Sequence, residues 1–414
     1  MLLSKLLNRM IRVGTLNIID ANGHLHSFAG TPGPEATVRL HDKSLHRKLF
    51  INPDLYLGEA YMDGTLTPEN CDLREFLRVV ISNHAFAHED PVYSFSSTVS
   101  RLMRWVHQYN PITRSKENVA HHYDLAVDFY DLFLDRDRQY SCGYFRTPDE
   151  SLEQAQLDKR LHIAAKLMLE PGQKVLDIGS GWGGLSTYLA RNSDVRVSGL
   201  TLSTEQLQVA KRIAAEEGLE DRVDFHLRDY REETGTYDRI VSVGMFEHVG
   251  VRHYGDYFAK INELLSEDGI CLLHSIGRMS GPSSTAGWVR KYIFPGGYSP
   301  ALSEVMTAVE KSGLWVTDIE ILRVHYADTL LAWQRRFQEN RARAAEMFDE
   351  RFCRMWEFYL AISEAVFRYG DHFVFQMQIA RQRDAVPLTR DYITDWERSH
   401  GVEAEPVRLR PRAG

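Results

Sequence analysis

Residues 175–184 read VLDIGSGWGG, with glycines at 179, 181, 183 and 184. An apolar run that ends in closely spaced glycines joins a buried strand to a helix, and the turn brings backbone N–H groups to a ligand at the helix N-terminus. Alone such a turn is weak, because any tight strand-to-helix connection needs the same residues. Three details narrow it. The glycine spacing is GxGxG rather than GxGxxG. Asp177 lies on the strand just before the turn, where a carboxylate meets a charged amino group or a ribose hydroxyl. The second strand ends in SGLTLS, without the Asp or Glu that would grip the ribose of a nicotinamide nucleotide. Pyrophosphate cofactors lose ground, and a cofactor joining an amino acid to a nucleoside gains it. S-adenosylmethionine is such a cofactor.

A second set of side chains suits acid–base work in an apolar setting. Glu247, in MFEHVG, follows the fourth strand of the region around the glycine turn; His274, in LLHSIG, ends the fifth. Both fall at C-terminal strand ends, where open α/β sheets bind their ligands. Cys142 lies among Tyr140, Tyr144 and Phe145, and Tyr326 begins a helical segment. Each also has an ordinary reading: inert core for Cys142, a satisfied structural residue for His274, a cap for Glu247, packing for Tyr326. His121-His122 and Glu247-His248 do not make a metal site, because HExxH and paired cysteines are absent.

The elements that must hold these residues alternate in type from about residue 150. A helix over EQAQLDKRLHIAAKLML precedes the strand QKVLDIG, the helix GGLSTYLARN, the strand VRVSGL and the helix TEQLQVAKRIAAEEG. The strands VDFHLRD and YDRIVSVG, the helix YGDYFAKINELL and the strand GICLLHSIG follow. Alternation with helices of this length predicts βαβ units and a parallel sheet. Residues 327–368 read as almost wholly helical, and HFVFQMQIA closes the sheet. The segment from Arg381 is polar and expected to be loosely held. At the other end, residues 1–13 place Leu2, Leu3, Leu6, Leu7, Met10 and Ile11 on one helical face. That face either packs on its own domain, the favoured reading, or rests on lipid headgroups. Residues 14–85 predict a small α+β domain, and the polar stretch 86–118 carries the boundary. The expected division is 1–110, 111–380 and a polar tail 381–414.

Composition bounds the function. The 414 residues carry 49 Lys/Arg against 57 Asp/Glu, a net charge of −8, which opposes nucleic-acid binding through a global basic field. The first 120 residues are near neutral, with 13 Lys/Arg against 12 Asp/Glu, and only they are free to approach an anionic surface. Four cysteines without paired spacing predict free thiols and a reducing compartment. Lys5, Arg9 and Arg12 interrupt the apolar start, and no run approaches the roughly 20 apolar residues of a membrane helix. A soluble, intracellular protein is expected.

Nine collinear motifs between about 119 and 380 carry a family resemblance. They are HHYDLAVDFYDLFLD (121–135), YSCGYF (140–145), VLDIGSGWGG, TLSTEQ (201–206), RDYRE (228–232), VSVGMFEHVG (241–250), LLHSIG (272–277), KYIFPGG (291–297) and HYADTLLAW (325–333). The sequence resembles the cyclopropane-fatty-acyl-phospholipid synthases, kin of the mycolic acid cyclopropane synthases. Its first 110 residues resemble, less closely, the small lipid-binding domain of long bacterial members.

The resemblance implies a class I methyltransferase fold: a seven-stranded Rossmann-like α/β sheet, last strand antiparallel, with a helical insertion. It implies transfer of a methylene unit from S-adenosylmethionine to cis double bonds of phospholipid acyl chains through a carbocation, or C-methylation without ring closure. Tyr140, Ser141, Gly179, Gly181, Thr201, Gln206, Asp229 and Tyr230 would line the cofactor pocket, with Asp177 and Gly183 of the glycine turn. Asp229 suits an adenine amino group, and Thr201 is a helix N-cap or faces the ribose. Cys142, Glu247, His274, Tyr326 and the backbone of Ile276 would hold a bicarbonate ion as general base. The resemblance also suggests a homodimer, working in the cytoplasm on the inner face of the membrane. The sequence makes three departures from the usual motifs: Ala126-Val127 stands for Gly-Asn, Ser180 for Cys, and Ser363 for a helical Cys.

Overall fold

The computed structural model describes residues 2–87 and 127–401. The expected boundary near residue 110, His121-His122 and Ala126 lie outside the described residues.

The N-terminal unit is a four-stranded sheet in the order β2-β1-β3-β4, with β1 Val13–Ile19, β2 Leu25–Ala29, β3 Thr31–Leu40 and β4 Leu66–Glu69. Alternation along β1 points Leu16 and Ile18 inward and Asn17 outward, which fixes the register with β3 at Leu16↔Ala36 and Ile18↔Val38. Helix Leu73–Ser82 covers the inner face. It starts at a capping box in which Asp72 accepts from the Glu75 amide and the Glu75 carboxylate accepts from the Asp72 amide. Helix Leu2–Met10 buries Leu3 and Leu6, and Ile11 beyond it is also buried. Among the described residues of the stripe, Leu3, Leu6 and Ile11 are turned into their own domain.

The second unit is a seven-stranded sheet in the order β10-β11-β9-β8-β5-β6-β7. Its strands are β5 Lys174–Ile178, β6 Arg196–Thr201, β7 Val223–Leu227, β8 Tyr237–Val243, β9 Leu265–Arg278, β10 Trp315–Leu322 and β11 His372–Ala380. β5 to β9 run parallel, and β11 is inserted antiparallel between β9 and β10. The expected seven strands with an antiparallel last strand are observed. β10, unread in the sequence, is the edge; its polar residues Asp318 and Glu320 break an apolar pattern. Between β10 and β11 stand the helices His325–Glu339, Arg341–Met347 and Glu350–Tyr369.

Helix Leu152–Leu167 is covered along almost its whole length, including Gln156, Asp158, Lys159, Arg160, His162 and Lys166. Part of that cover corrects the expectation of a loose tail. Helix Asp391–His400 packs on it, burying Ile393, while His162 sits between Glu397 (Nδ1–Oε1 2.6 Å) and Glu320 (Nε2–Oε2 2.6 Å). A polar segment is held here by charges that lie on other elements.

The two units meet along helix Glu350–Tyr369 and helix Gly287–Tyr292. Gly58 lies flat against Trp288, where an added Cβ would come within 2.5 Å of the indole. Lys291 pairs with Glu59 at 2.7 Å, and Arg351 with Asp63 at 2.8 Å.

Candidate active site

β5 stands at the point where the strand order reverses, with β6 on one side and β8 on the other, and the glycine turn follows it. The turn is pinned to the next strand: the amides of Gly179 and Ser180 donate to the Leu200 carbonyl at 3.0 and 2.8 Å. Gly179 adopts φ +89°, and a Cβ there would lie 2.9 Å from the Cβ of Met245. A cavity opens over this turn. Its walls include Tyr140, Ser141, Asp177, Gly179, Gly181, Thr201, Gln206, Asp229 and Tyr230, nine of the ten residues predicted for the cofactor. Gly183 is the tenth and does not line it. At φ +87° it caps helix Gly184–Ser193, and its missing Cβ leaves room for Phe225, which would otherwise be 2.7 Å away. It is a packing glycine.

The polar groups of the cavity are already oriented. Asp177 is buried and accepts from Ser186 Oγ at 2.7 Å; burial raises its carboxyl to about 6, so a cationic partner would be welcome there. Thr201 Oγ1 donates to Gln206 Oε1 at 2.8 Å and accepts from the Ser203 amide. Ser203, not Thr201, is the N-cap of helix Thr204–Glu216. Asp229 caps the turn Tyr230–Glu232 and is gripped by Arg231, whose Nε and Nη2 lie 2.8 and 2.6 Å from its two oxygens. Asp229 thus first shapes the wall that presents Tyr230. A buried carboxylate together with hydroxyl, amide and aromatic groups in one cavity suits a ligand with an amino-acid part and a nucleoside part.

The turn after β8 brings the second set close. Met245 and His248 line the cavity, and Glu247 lies between them. Its Oε1 accepts from the Ile276 amide at 2.7 Å, while Oε2 is buried with no partner among the described residues. Burial lifts this carboxyl to about 7. The amide of the Ile276 backbone is thus engaged by Glu247 itself. His274 sits two residues earlier on the same face of β9, 3.2 Å from Gln376 of β11, and burial pushes its pKa down. It is held as neutral imidazole.

Cys142 is buried, and its thiol is pushed up by that burial. The neighbouring Gly143 amide donates to Thr329 Oγ1 at 2.9 Å, one turn along from Tyr326 on helix His325–Glu339. Cys142 lies within one apolar cluster against which Tyr140, Tyr326 and Ile276 also pack. Aromatic rings crowd this zone: Tyr140 stacks on Trp333 (5.1 Å, 25°), and Tyr326 meets Phe367 at 4.8 Å and Trp333 edge-on. Tyr140 and Tyr359 share a hydrogen bond of 2.9 Å between hydroxyls. Such a box presents π faces to a cation and excludes water.

Sequence reasoning missed the supports. Gln139 and Trp182 line the cavity, and Lys159 lies fully buried behind it. A lysine within an amphipathic-looking helix carries no signal of burial.

Residues 111–377 match the mycolic acid cyclopropane synthetase family. The chain is 37% identical over 348 residues to the cyclopropane-fatty-acyl-phospholipid synthase of Escherichia coli K12, covering 84% of this chain and 88% of that one. It is 37% identical over 355 residues to a probable fatty acid methyltransferase of Pseudomonas putida, covering 82% and 85%. Among solved structures, mycolic acid cyclopropane synthase CmaA1 complexed with SAH and CTAB superposes with a TM-score of 0.62 at 33% identity, covering 66% of this chain and 99% of that one. The chain belongs to the mycolic acid cyclopropane synthetase family and is an S-adenosylmethionine-dependent methyltransferase.

Proposed function

We propose that this protein is a cyclopropane-fatty-acyl-phospholipid synthase acting on cis double bonds of phospholipid acyl chains. The observation that carries the reading is Glu247: a buried carboxyl whose Oε2 accepts no hydrogen bond among the described residues, set between the cavity-lining Met245 and His248 in the turn after β8. S-adenosylmethionine supplies the one-carbon unit when bound, with Asp177, Ser141, Thr201 and Gln206 among the residues that would hold it. Tyr140, Tyr326 and Trp333 offer ring faces to positive charge on an acyl chain.

Ring closure then requires loss of a proton. Bicarbonate is the proposed base, held by Glu247, His274, Cys142, Tyr326 and the Ile276 backbone. An anion beside a second anion would be repelled, and a Glu247 raised to about 7 solves this by keeping its own proton. Protonated Oε2 donates to the ion while Oε1 remains on the Ile276 amide. No described helix is long and apolar enough to cross a membrane, which fits an enzyme that docks on the cytoplasmic face of its lipid substrate. A homodimer is part of the same proposal.

The test is incubation with labelled S-adenosylmethionine and vesicles of unsaturated phospholipid, with products read by mass spectrometry and proton NMR. Cyclopropyl signals are expected, and rigorously carbonate-free buffer should lower the rate by about 10²–10⁴-fold, restored by added bicarbonate. Full turnover without carbonate would return proton abstraction to a side chain. The Pseudomonas putida relative's description favours a second reading, methylation without ring closure, which would give a product without cyclopropyl protons.

A further inference from the structure

Lys159 lies in the middle of helix Leu152–Leu167 with none of its surface exposed. Its ammonium donates to Gln139 Oε1 at 2.9 Å and to Ser141 Oγ at 2.8 Å, and among the described residues no carboxylate forms an ion pair with it. Its hydrogen-bond acceptors are all neutral, and Asp135 and Asp137 act on it only through space, so burial of the charge is costly. Both acceptors line the cofactor cavity.

The hydrogen bonds around Ser141 decide which of its atoms faces the ligand. A serine hydroxyl has one proton and two lone pairs. Lys159 fills a lone pair from behind, and the Ser141 carbonyl is taken by Gln156 Nε2 at 2.8 Å. The hydroxyl proton must therefore point away from the ammonium. The carboxylate of Asp177 lines the same cavity, which therefore offers an acceptor at Asp177 and a donor at Ser141. That polarity matches an α-amino acid zwitterion, with its ammonium toward Asp177 and its carboxylate toward Ser141.

We propose that Lys159 is a positioning residue that fixes Ser141 as a hydrogen-bond donor to the carboxylate of the cofactor's amino-acid end. The inference rests on the cofactor reading of the cavity. Burial lowers the Lys159 pKa to about 7, against the opposing pull of Asp135 and Asp137.

The experiment measures calorimetric affinities of the full-length protein for two ligands. S-adenosylhomocysteine carries the amino-acid end; 5′-methylthioadenosine keeps the nucleoside and thioether but lacks it. Lys159→Met is of similar length and removes the charge, so its unliganded melting temperature should equal or exceed wild type. Its affinity for S-adenosylhomocysteine should fall by about 10- to 100-fold, the range for a hydrogen bond to a charged group. Its affinity for 5′-methylthioadenosine should stay within about twofold. Ser141→Ala, which leaves the core intact, should show the same selectivity, and the double variant should lose no more than either alone. Equal weakening of both ligands in Lys159→Met, or unchanged S-adenosylhomocysteine affinity in either single variant, overturns the proposal. Failure of the wild type to bind S-adenosylhomocysteine would instead overturn the cofactor reading.

Discussion

Replacing Glu247 with Gln should raise stability at alkaline pH while removing most activity, and the size of the gain follows from its surroundings. The carboxyl is buried, one oxygen meets the Ile276 amide, and the other has no partner among the described residues. Its pKa is raised from 4.5 to about 7 because burial penalises the charged form. Between those two values the folded chain keeps a proton that the unfolded chain has released, so stability falls as pH rises. At about 1.4 kcal/mol per pH unit, the interval costs about 3 kcal/mol, all of it lost by pH 8. Gln is isosteric and never ionises; its Oε1 retains the Ile276 bond, and its amide NH₂ replaces an equally unpaired O–H. The two proteins should therefore match within about 1 kcal/mol near pH 4.5, and the variant should be more stable by about 2–3 kcal/mol at pH 8. Urea midpoints measured from pH 4.5 to 8.5, with equal slopes for both proteins, give the comparison. Parallel pH curves would show that Glu247 is not the buried, proton-holding group described, and would remove the basis for its donating to an anion.

Three further outcomes are expected. Gly179→Val should abolish the rise in melting temperature caused by S-adenosylhomocysteine, since a Cβ at φ +89° meets Met245; an unchanged rise would place the cofactor elsewhere. Tyr326→Phe should cost no more than about tenfold in kcat, because the ring stays against Phe367 and Trp333, whereas Glu247→Gln should cost about 10²–10⁴-fold; the reverse order would assign the proton chemistry to the tyrosine. His162→Ala removes the imidazole that bridges the Glu320 and Glu397 carboxylates, so about 2–4 kcal/mol should be lost and helix Asp391–His400 should be cut sooner by protease; equal cleavage rates would contradict the clamp.

The parallel core was legible because β5, β8 and β9 carry short apolar stretches (VLDI, IVSV, ICLL) bounded by glycine or polar turns and the strands alternate with helices. β10 was not. Trp315 and Ile321 are exposed, and the inward-lying Glu320 is polar because it answers His162 and Lys166 on a helix some 150 residues earlier. Helix Asp391–His400 was hidden for the same reason, since DYITDWERSH is polar in isolation and its anchor, His162, lies on another element. Within the site, Glu247 and the glycine turn could be found because strand ends are where parallel sheets place chemistry. Lys159 could not, because a lysine is read as solvated until the elements that bury it are known. Gly183 stands in the right turn yet makes room for Phe225, and Thr201 lines the cavity but leaves the helix cap to Ser203.

The antiparallel strand wedged between β9 and β10 bears on how the chain matures during synthesis. β10 has no strand neighbour until β11 is made, and the His274–Gln376 pair joins residues 102 apart. The helical insertion carrying Tyr326 and Tyr359 emerges in the meantime, before the strand that closes the sheet beside it. A growing chain that has released 369 residues therefore shows an unpaired edge and apolar helix faces together, the kind of surface on which holding chaperones act. We expect ribosome-arrested chains to remain protease-sensitive throughout residues 315–369 until residue 380 has cleared the exit tunnel, and then to become protected in a single step. Gradual protection before β11 emerges would mean that the insertion folds independently of the sheet it interrupts.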